Sequence, residues 1–114
     1  MKKHSNMYAC NGTSYYGDHI ITTAQRLIDL FGQPTFEGVS CDGGQLEWVL
    51  EHNGNCITVY DRRRNPYGLN DQVTWNIGAH NATASMYAET ELRRLVYGEN
   101  FDNLWNNLKN TLAK

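Results

Sequence analysis

The residues of this chain best suited to chemistry are cations, rings and amides. Arg62, Arg63 and Arg64 directly follow a predicted strand, Arg93 and Arg94 stand together in a predicted helix, and Arg26 lies on an earlier one. The planar guanidinium fork matches phosphate oxygens in a way that a lysine ammonium does not. Arg93 and Arg94 also have Glu89 and Glu91 within one helical turn, so ion pairing along their own helix is the plain alternative. Tyr15, Tyr16, Tyr60, Tyr67, Trp75 and Tyr87 fall near predicted strand ends or loops. A planar base stacks on such rings for about 1–3 kcal/mol each. The stretch VTWNIGAHN, residues 73–81, adds Asn76, His80 and Asn81 where a strand gives way to a helix. Amides read the edge of a base, and the backbone donors of a helix start favour a phosphate. Simpler roles exist for the same residues, Trp75 as core and Asn81 as an N-cap. Together the pattern fits a polar, aromatic pocket for a nucleotide-like ligand. Its predicted binding residues are Arg93, Arg94, Asn81, His80, Asn76, Trp75, Tyr16, Tyr60, Arg62 and Arg26.

Catalytic patterns are weaker. His4, His19, His52 and His80 lack metal-ligand spacing, so no metal site is expected. Asp18 and His19 are adjacent, and neighbours on a strand point to opposite faces. Ser85 follows His80 by five residues without a nucleophile elbow around it. Gly43 and Gly44 lack the lysine and the helix of a phosphate loop. The reading is a binding protein that needs no cofactor and carries out no catalysis.

These residues must be positioned by one domain, since the chain has 114 residues. The net charge of −2 and a pI near 6.0 argue against duplex nucleic acid as a partner. Cys10, Cys41 and Cys56 are odd in number and widely spaced, which predicts reduced thiols and a cytoplasmic protein. No stretch is long and apolar enough to span a membrane, and the start lacks a signal peptide's apolar run. Asn11-Gly12-Thr13 and Asn81-Ala82-Thr83 match the glycosylation pattern, which carries no weight without a secretory context.

Periodicity predicts an α+β fold. A short strand over 14–16 closes at Gly17-Asp18. A helix follows, with Ala24, Leu27, Ile28 and Phe31 on one face, Thr22 or Thr23 as cap and Gly32 as stop. Two strands flank Asn53-Gly54, the strongest short hairpin signal, and VTWNIGA makes a third. Two C-terminal helices follow, one ending at Gly98 and one with Phe101, Leu104, Trp105, Leu108 and Leu112 on a single stripe. The expectation is a small antiparallel sheet of three to four strands with one helix after the first strand and two C-terminal helices. One sheet face is to be covered by the helices, and a spare helix face leaves room for a second copy.

The motifs TSYYGD (13–18), LFGQP, EWVLE, TVYD and WNIGAHN, in that order, resemble the first family of phage Thoeris anti-defence proteins. The resemblance spans most of residues 13–97. It implies a sponge that sequesters cyclic ADP-ribose isomers made by bacterial TIR-domain proteins and leaves them intact, inside an infected bacterial cell. It also implies oligomers, from dimer up to hexamer, with ligand held where subunits meet, and in some members a separate symmetric site for cyclic oligonucleotides. It assigns no ligand residue individually. Two alternatives remain: an inhibitor that binds a defence effector through Glu47, Glu51, Asp61 and Asp71, and a small nucleotide hydrolase with His80 as general base.

Overall fold

The computed structural model describes residues 1–38, 46–61 and 67–98. The terminal helix expected beyond Gly98, the run Arg62 to Arg64, and Cys41 lie outside the described residues. In chain order the elements are β1 (Lys2–Lys3), β2 (Ser14–Thr22), α1 (Ala24–Phe31), β3 (Phe36–Glu37), β4 (Leu46–His52), β5 (Asn55–Tyr60), β6 (Val73–Ala79) and α2 (Ala82–Tyr97). The six strands form one antiparallel sheet in the order β1-β4-β5-β6-β2, with β3 also paired to β4. The class is α+β, as expected, but the sheet has six strands rather than three to four, and α1 follows the second strand rather than the first.

The extra strands have a common purpose. β1 pairs with the Leu50–Glu51 end of β4, and β3 pairs with its Leu46–Glu47 end. Between them Val49 accepts from the His4 amide at 2.9 Å and donates to Thr35 Oγ1 at 3.0 Å. The outer edge of β4 is therefore closed, which removes a template for pairing with foreign strands. Two-residue ribbons leave no periodic pattern in a sequence.

The first predicted strand also differs. It does not close at Gly17-Asp18 but continues to Thr22 through a bulge. Tyr15 pairs with Gly78 and His19 with Asn76, so four steps on β2 match two on β6. Gly17 sits at φ +98°, a conformation that a side chain disfavours. Past the bulge, Ile20 and Thr22 turn inward and Ile21 outward.

The core lies between one sheet face and the two helices. Ile20, Trp48, Leu50, Ile57, Val59, Trp75 and Ile77 meet Ala24 and Leu27 of α1 and Ala84, Ala88 and Leu92 of α2. The rings of Trp48 and Trp75 meet edge to face at 5.4 Å. Their indole N–H groups hold the two ends of α1: Trp75 donates to the Thr22 carbonyl at 3.0 Å and Trp48 to the Gly32 carbonyl at 2.9 Å. An eight-residue helix is too short to persist alone, so this clamp and its buried face hold it. Its caps are those expected, with Thr23 Oγ1 accepting from the Arg26 amide and Gly32 at φ +82° donating back to Ile28. The hairpin turn places Asn53 and Gly54 at φ 52° and 79°, as an Asn-Gly turn should.

Only one face was expected to be covered, yet the opposite face is also buried at its centre. Val49, Thr58, Tyr60 and Asn76 are each less than a tenth exposed there. The segment leading into β2 lies over part of this second face and encloses a cavity against it.

Candidate functional site

Two regions of the described chain gather polar groups. The first is the corner where β6 passes into α2. Asn81 is extended and caps the helix, its Oδ1 accepting from the Ala84 amide at 2.8 Å. The His80 carbonyl accepts from the Tyr16 hydroxyl at 3.2 Å, and His80 Nε2 lies 3.4 Å from the Ala9 carbonyl. Tyr16, His80 and Asn81 are all exposed. From this corner α2 presents an outward stripe of Thr83, Met86, Tyr87, Thr90, Arg94 and Tyr97, at the three- and four-residue spacing of one helix face. Met86 and Tyr87 are each more than half exposed.

The second region is the cavity of about 280 Å³ under the N-terminal segment. Met7 and residues 10–13 form its roof, with Phe36 at one side and Glu47, Val49 and Thr58 as its floor. Gly78 explains how the floor closes. A Cβ on Gly78 would lie 2.5 Å from Thr58 Cγ2, 3.4 Å from Thr13 Oγ1 and 3.6 Å from a Tyr60 ring carbon. The glycine in WNIGAHN thus serves space rather than conformation: it lets three side chains converge over the middle of the sheet. Thr13 Oγ1 donates to the Cys10 carbonyl at 2.8 Å, which fixes the roof's last turn. The Thr58 hydroxyl is fully enclosed and has no hydrogen-bond partner among the described residues.

Cys10 and Cys56 are both free thiols, as the cysteine spacing predicted. Burial pushes the Cys10 thiol up from 9.0 to about 12, and the neighbouring Cys56 and Glu47 add to the effect. Cys10 is therefore a neutral wall of the cavity.

The nine predicted binding residues that the structure describes do not meet on one chain. Trp75 is fully buried on the helix-facing side, with its N–H used on Thr22, so it is core. Asn76 and Tyr60 are cross-strand partners on the opposite face, both buried. Arg26 reaches across to the end of α2, donating from Nε to the Val96 carbonyl at 3.3 Å and from a terminal nitrogen to the Leu95 carbonyl at 3.0 Å. It is a brace that places a cation on the negative end of the helix. Arg93 pairs with Glu89 at 2.9 Å and Arg94 with Glu91, as their helical spacing allowed. The Arg94 guanidinium holds the Glu91 carboxyl below its usual range. Arg62 lies outside the described residues. Among the described members of the set, Tyr16, His80 and Asn81 are those that share one exposed corner.

Residues 7–13, Phe36, Glu47 and Thr58 were not singled out as a site from the sequence. Gly78 was the one available signal, since a glycine inside a strand often marks a close approach. The carboxylates considered for binding a defence effector are not all at the surface. Asp61 is fully buried and accepts from the Leu46 amide, Asp71 accepts from the Gly68 amide, and Glu47 lines the cavity. Among the described residues no group of three or more His, Cys, Asp or Glu could hold a metal, and no helix is long and apolar enough to cross a membrane. Comparisons of the chain with protein families, with curated proteins and with solved structures return no match.

Proposed function

We propose that this chain is a non-catalytic sponge for a cyclic nucleotide signal, held at a site that two copies complete. The observation that carries the reading is the layout of α2. Asn81, His80 and Tyr16 stand at its start, while Arg93 and Arg94 stand near its end. Thirteen residues separate Asn81 from Arg94, which is about 20 Å along a helix. A pocket of ordinary ligand size is only about 7–10 Å across. One chain therefore cannot close its arginines over its own polar corner.

An antiparallel pairing of two α2 stripes removes the difficulty. Its two-fold axis would fall midway between positions 81 and 94, beside Tyr87. Met86 and Tyr87 are the large exposed side chains there, and a two-fold axis sets such a patch against itself. Each end of the pair then gains Arg93 and Arg94 from one copy and Tyr16, His80 and Asn81 from the other. The guanidiniums neutralise phosphate, Tyr16 stacks on a base, and Asn81 and His80 supply directional hydrogen bonds. The resemblance to the Thoeris anti-defence family supports the choice of a cyclic ADP-ribose isomer as ligand. It also supports ligand at a subunit junction.

The hydrolase alternative draws less support. Ser85 is fully buried and donates a hydrogen bond to Asp18 Oδ2 at 2.7 Å, tying α2 to the β2 bulge. His80 faces a carbonyl of the N-terminal segment.

Complementation tests the proposal. Asn81→Ser keeps a capping oxygen and loses the amide; Arg94→Ala loses the cation. Each variant alone should bind a cyclic ADP-ribose isomer at least tenfold more weakly by calorimetry. Mixed after unfolding and refolding together, they should regain roughly one tight site in four, because half of the pairs are mixed and each mixed pair has one intact site. Ligand recovered by heat should be intact. A monomer in sedimentation, or no recovery on mixing, refutes the shared site; cleaved ligand refutes the sponge.

A further inference from the structure

We propose that Cys10 and Cys56 form a modification site: a thiol pair that a small disulfide such as oxidised glutathione converts to a reversible bond between the N-terminal segment and the sheet. The pair lies within one chain and shares no residue with the α2 stripe.

Three observations point the same way. The first is contact. Both cysteines are free, and the Cys10 thiol hydrogen-bonds with that of Cys56. A disulfide holds its sulfurs at about 2.05 Å, so two sulfurs already side by side need only close the remaining gap. The second is where each thiol is held. Cys56 stands two residues before Thr58 on β5, hence on the same sheet face, and it is paired with Glu51 of β4. Cys10 lies outside the sheet in a run of turns, with Asn11 donating to Tyr8 and Thr13 to Cys10. Approach of the sulfurs therefore moves a turn and leaves the strand pairing intact. The bond would close a long loop that contains β2, α1, β3 and β4.

The third observation is that the two thiols suit different steps. Both residues are half-buried rather than enclosed. Burial pushes the Cys10 thiol up to about 12, which makes it a slow first nucleophile. Cys56 is next to the exposed Asn55 of the hairpin and is the point of entry. It loses its proton to water, and its thiolate attacks one sulfur of oxidised glutathione. The glutathione S–S bond breaks and one glutathione thiolate leaves. Cys10 then gives its proton to water, and its thiolate attacks the Cys56 sulfur of the mixed disulfide and expels the second glutathione. Two protein thiols are oxidised, and one glutathione disulfide is reduced to two thiols. A basic thiolate is a strong nucleophile and a poor leaving group, so Cys10 suits the second step and slows its reversal.

The test treats the full chain with oxidised glutathione. Non-reducing peptide mapping should join the peptides that hold Cys10 and Cys56. The oxidised chain should unfold at a midpoint about 5 °C or more above the reduced one, because a crosslink over so long a loop restricts the unfolded chain. Dithiothreitol should restore both thiols and the original midpoint. Cys10→Ser should stop at a mixed disulfide on Cys56. In Cys56→Ser, Cys10 should react at least tenfold more slowly than Cys56 does in wild type. Cys41→Ser should still form the bond. The proposal is overturned if excess oxidised glutathione yields no internal bond, if mapping joins Cys41 to either residue instead, or if the oxidised chain unfolds no higher than the reduced one. Mapping and midpoint both use the wild-type chain, so a serine variant that fails to fold leaves the test decisive.

Discussion

Gly78→Ala is the sharpest perturbation the fold offers, because its sign is opposite to the usual one. Replacing a strand glycine by alanine ordinarily stabilises by about 0.4–1 kcal/mol, through the unfolded chain's lost freedom. Gly78 does not sit at a positive φ, so backbone strain gives no reason for alanine to fail. Space does. The new Cβ would lie 2.5 Å from Thr58 Cγ2, where carbon atoms rest at about 3.5–4.0 Å. Thr58 is β-branched and stiff at χ1. It is 4% exposed, in a strand paired on both sides. It cannot swing away, so β5 and β6 must shift. Such overpacking costs about 1–3 kcal/mol, or a fall in unfolding temperature of roughly 4–12 °C for a domain of this size. Thr58→Ser removes the offending methyl and keeps the hydroxyl. The other two neighbours of the new Cβ, at 3.4 and 3.6 Å, are tolerable. Urea unfolding of wild type, both single variants and the double variant then forms a closed cycle. The double variant should be more stable than the two single effects predict, by about 1 kcal/mol or more. Gly78→Ala at or above wild-type stability, or two effects that simply add, would show that the Thr58 methyl does not occupy the space above Gly78.

Two further outcomes follow from the helix brace and the buried thiol. Arg26→Ala should destabilise by about 1–3 kcal/mol in urea, since two charge-assisted hydrogen bonds to the last carbonyls of α2 are lost; Arg26→Lys should recover less than half, because a point charge cannot fork between two carbonyls. Cys10, raised from 9.0 to about 12, holds its proton longer folded than unfolded. The stability this contributes is present below pH 9 and is lost as pH rises from 9 towards 12, so wild type should lose more stability over that window than Cys10→Ser does. At pH 8, iodoacetamide should label Cys10 roughly a thousandfold more slowly in the native chain than in urea, as a shift of about three units implies. Equal rates by peptide mass spectrometry would place the thiol at the surface.

What the sequence revealed about the fold was local. Thr23, Gly32, Asn81 and Gly98 mark the ends of α1 and α2 because caps act through their own neighbours, and each does so in the structure. Asn53-Gly54 fixed the β4–β5 register for the same reason. The misjudged parts depend on partners far along the chain. Ile20, Ile21 and Thr22 read as a lead-in to a helix, since nothing nearby reveals that β6 waits to pair with them beyond the Gly17 bulge. β1 and β3 exist only because β4 has an edge to close. On the second face Val49, Thr58, Tyr60, Asn76 and Gly78 mix apolar and polar types, which is how a solvated face looks in a sequence. The candidate site suffered most. Arginines, rings and amides were grouped by chemical type, yet Trp75 and Asn76, neighbours in sequence, face opposite sides of the sheet. The cavity draws on residues from Met7 to Thr58 that share no local pattern.

The two sheet faces are held in different ways. The helix-facing side is fixed by the tryptophan clamp on α1, by Arg26 on the end of α2, and by Ser85 on the β2 bulge. The roof of the other side carries turn bonds of its own: Ala9 donates to Asn6, Asn11 to Tyr8, and Thr13 to Cys10. These are turn bonds that survive if the segment lifts as a unit. His4 on Val49 secures one end of the roof, and the pairing of Ser14 with Ala79 secures the other. Between those points the Cys10 thiol bonds with Cys56 and the Leu50 backbone, the Tyr8 ring lies 6.5 Å from that of Phe36, and His80 approaches Ala9. The roof is thus tied to the sheet through a thiol and a ring, whereas the helices are tied to it through indole, guanidinium and hydroxyl hydrogen bonds.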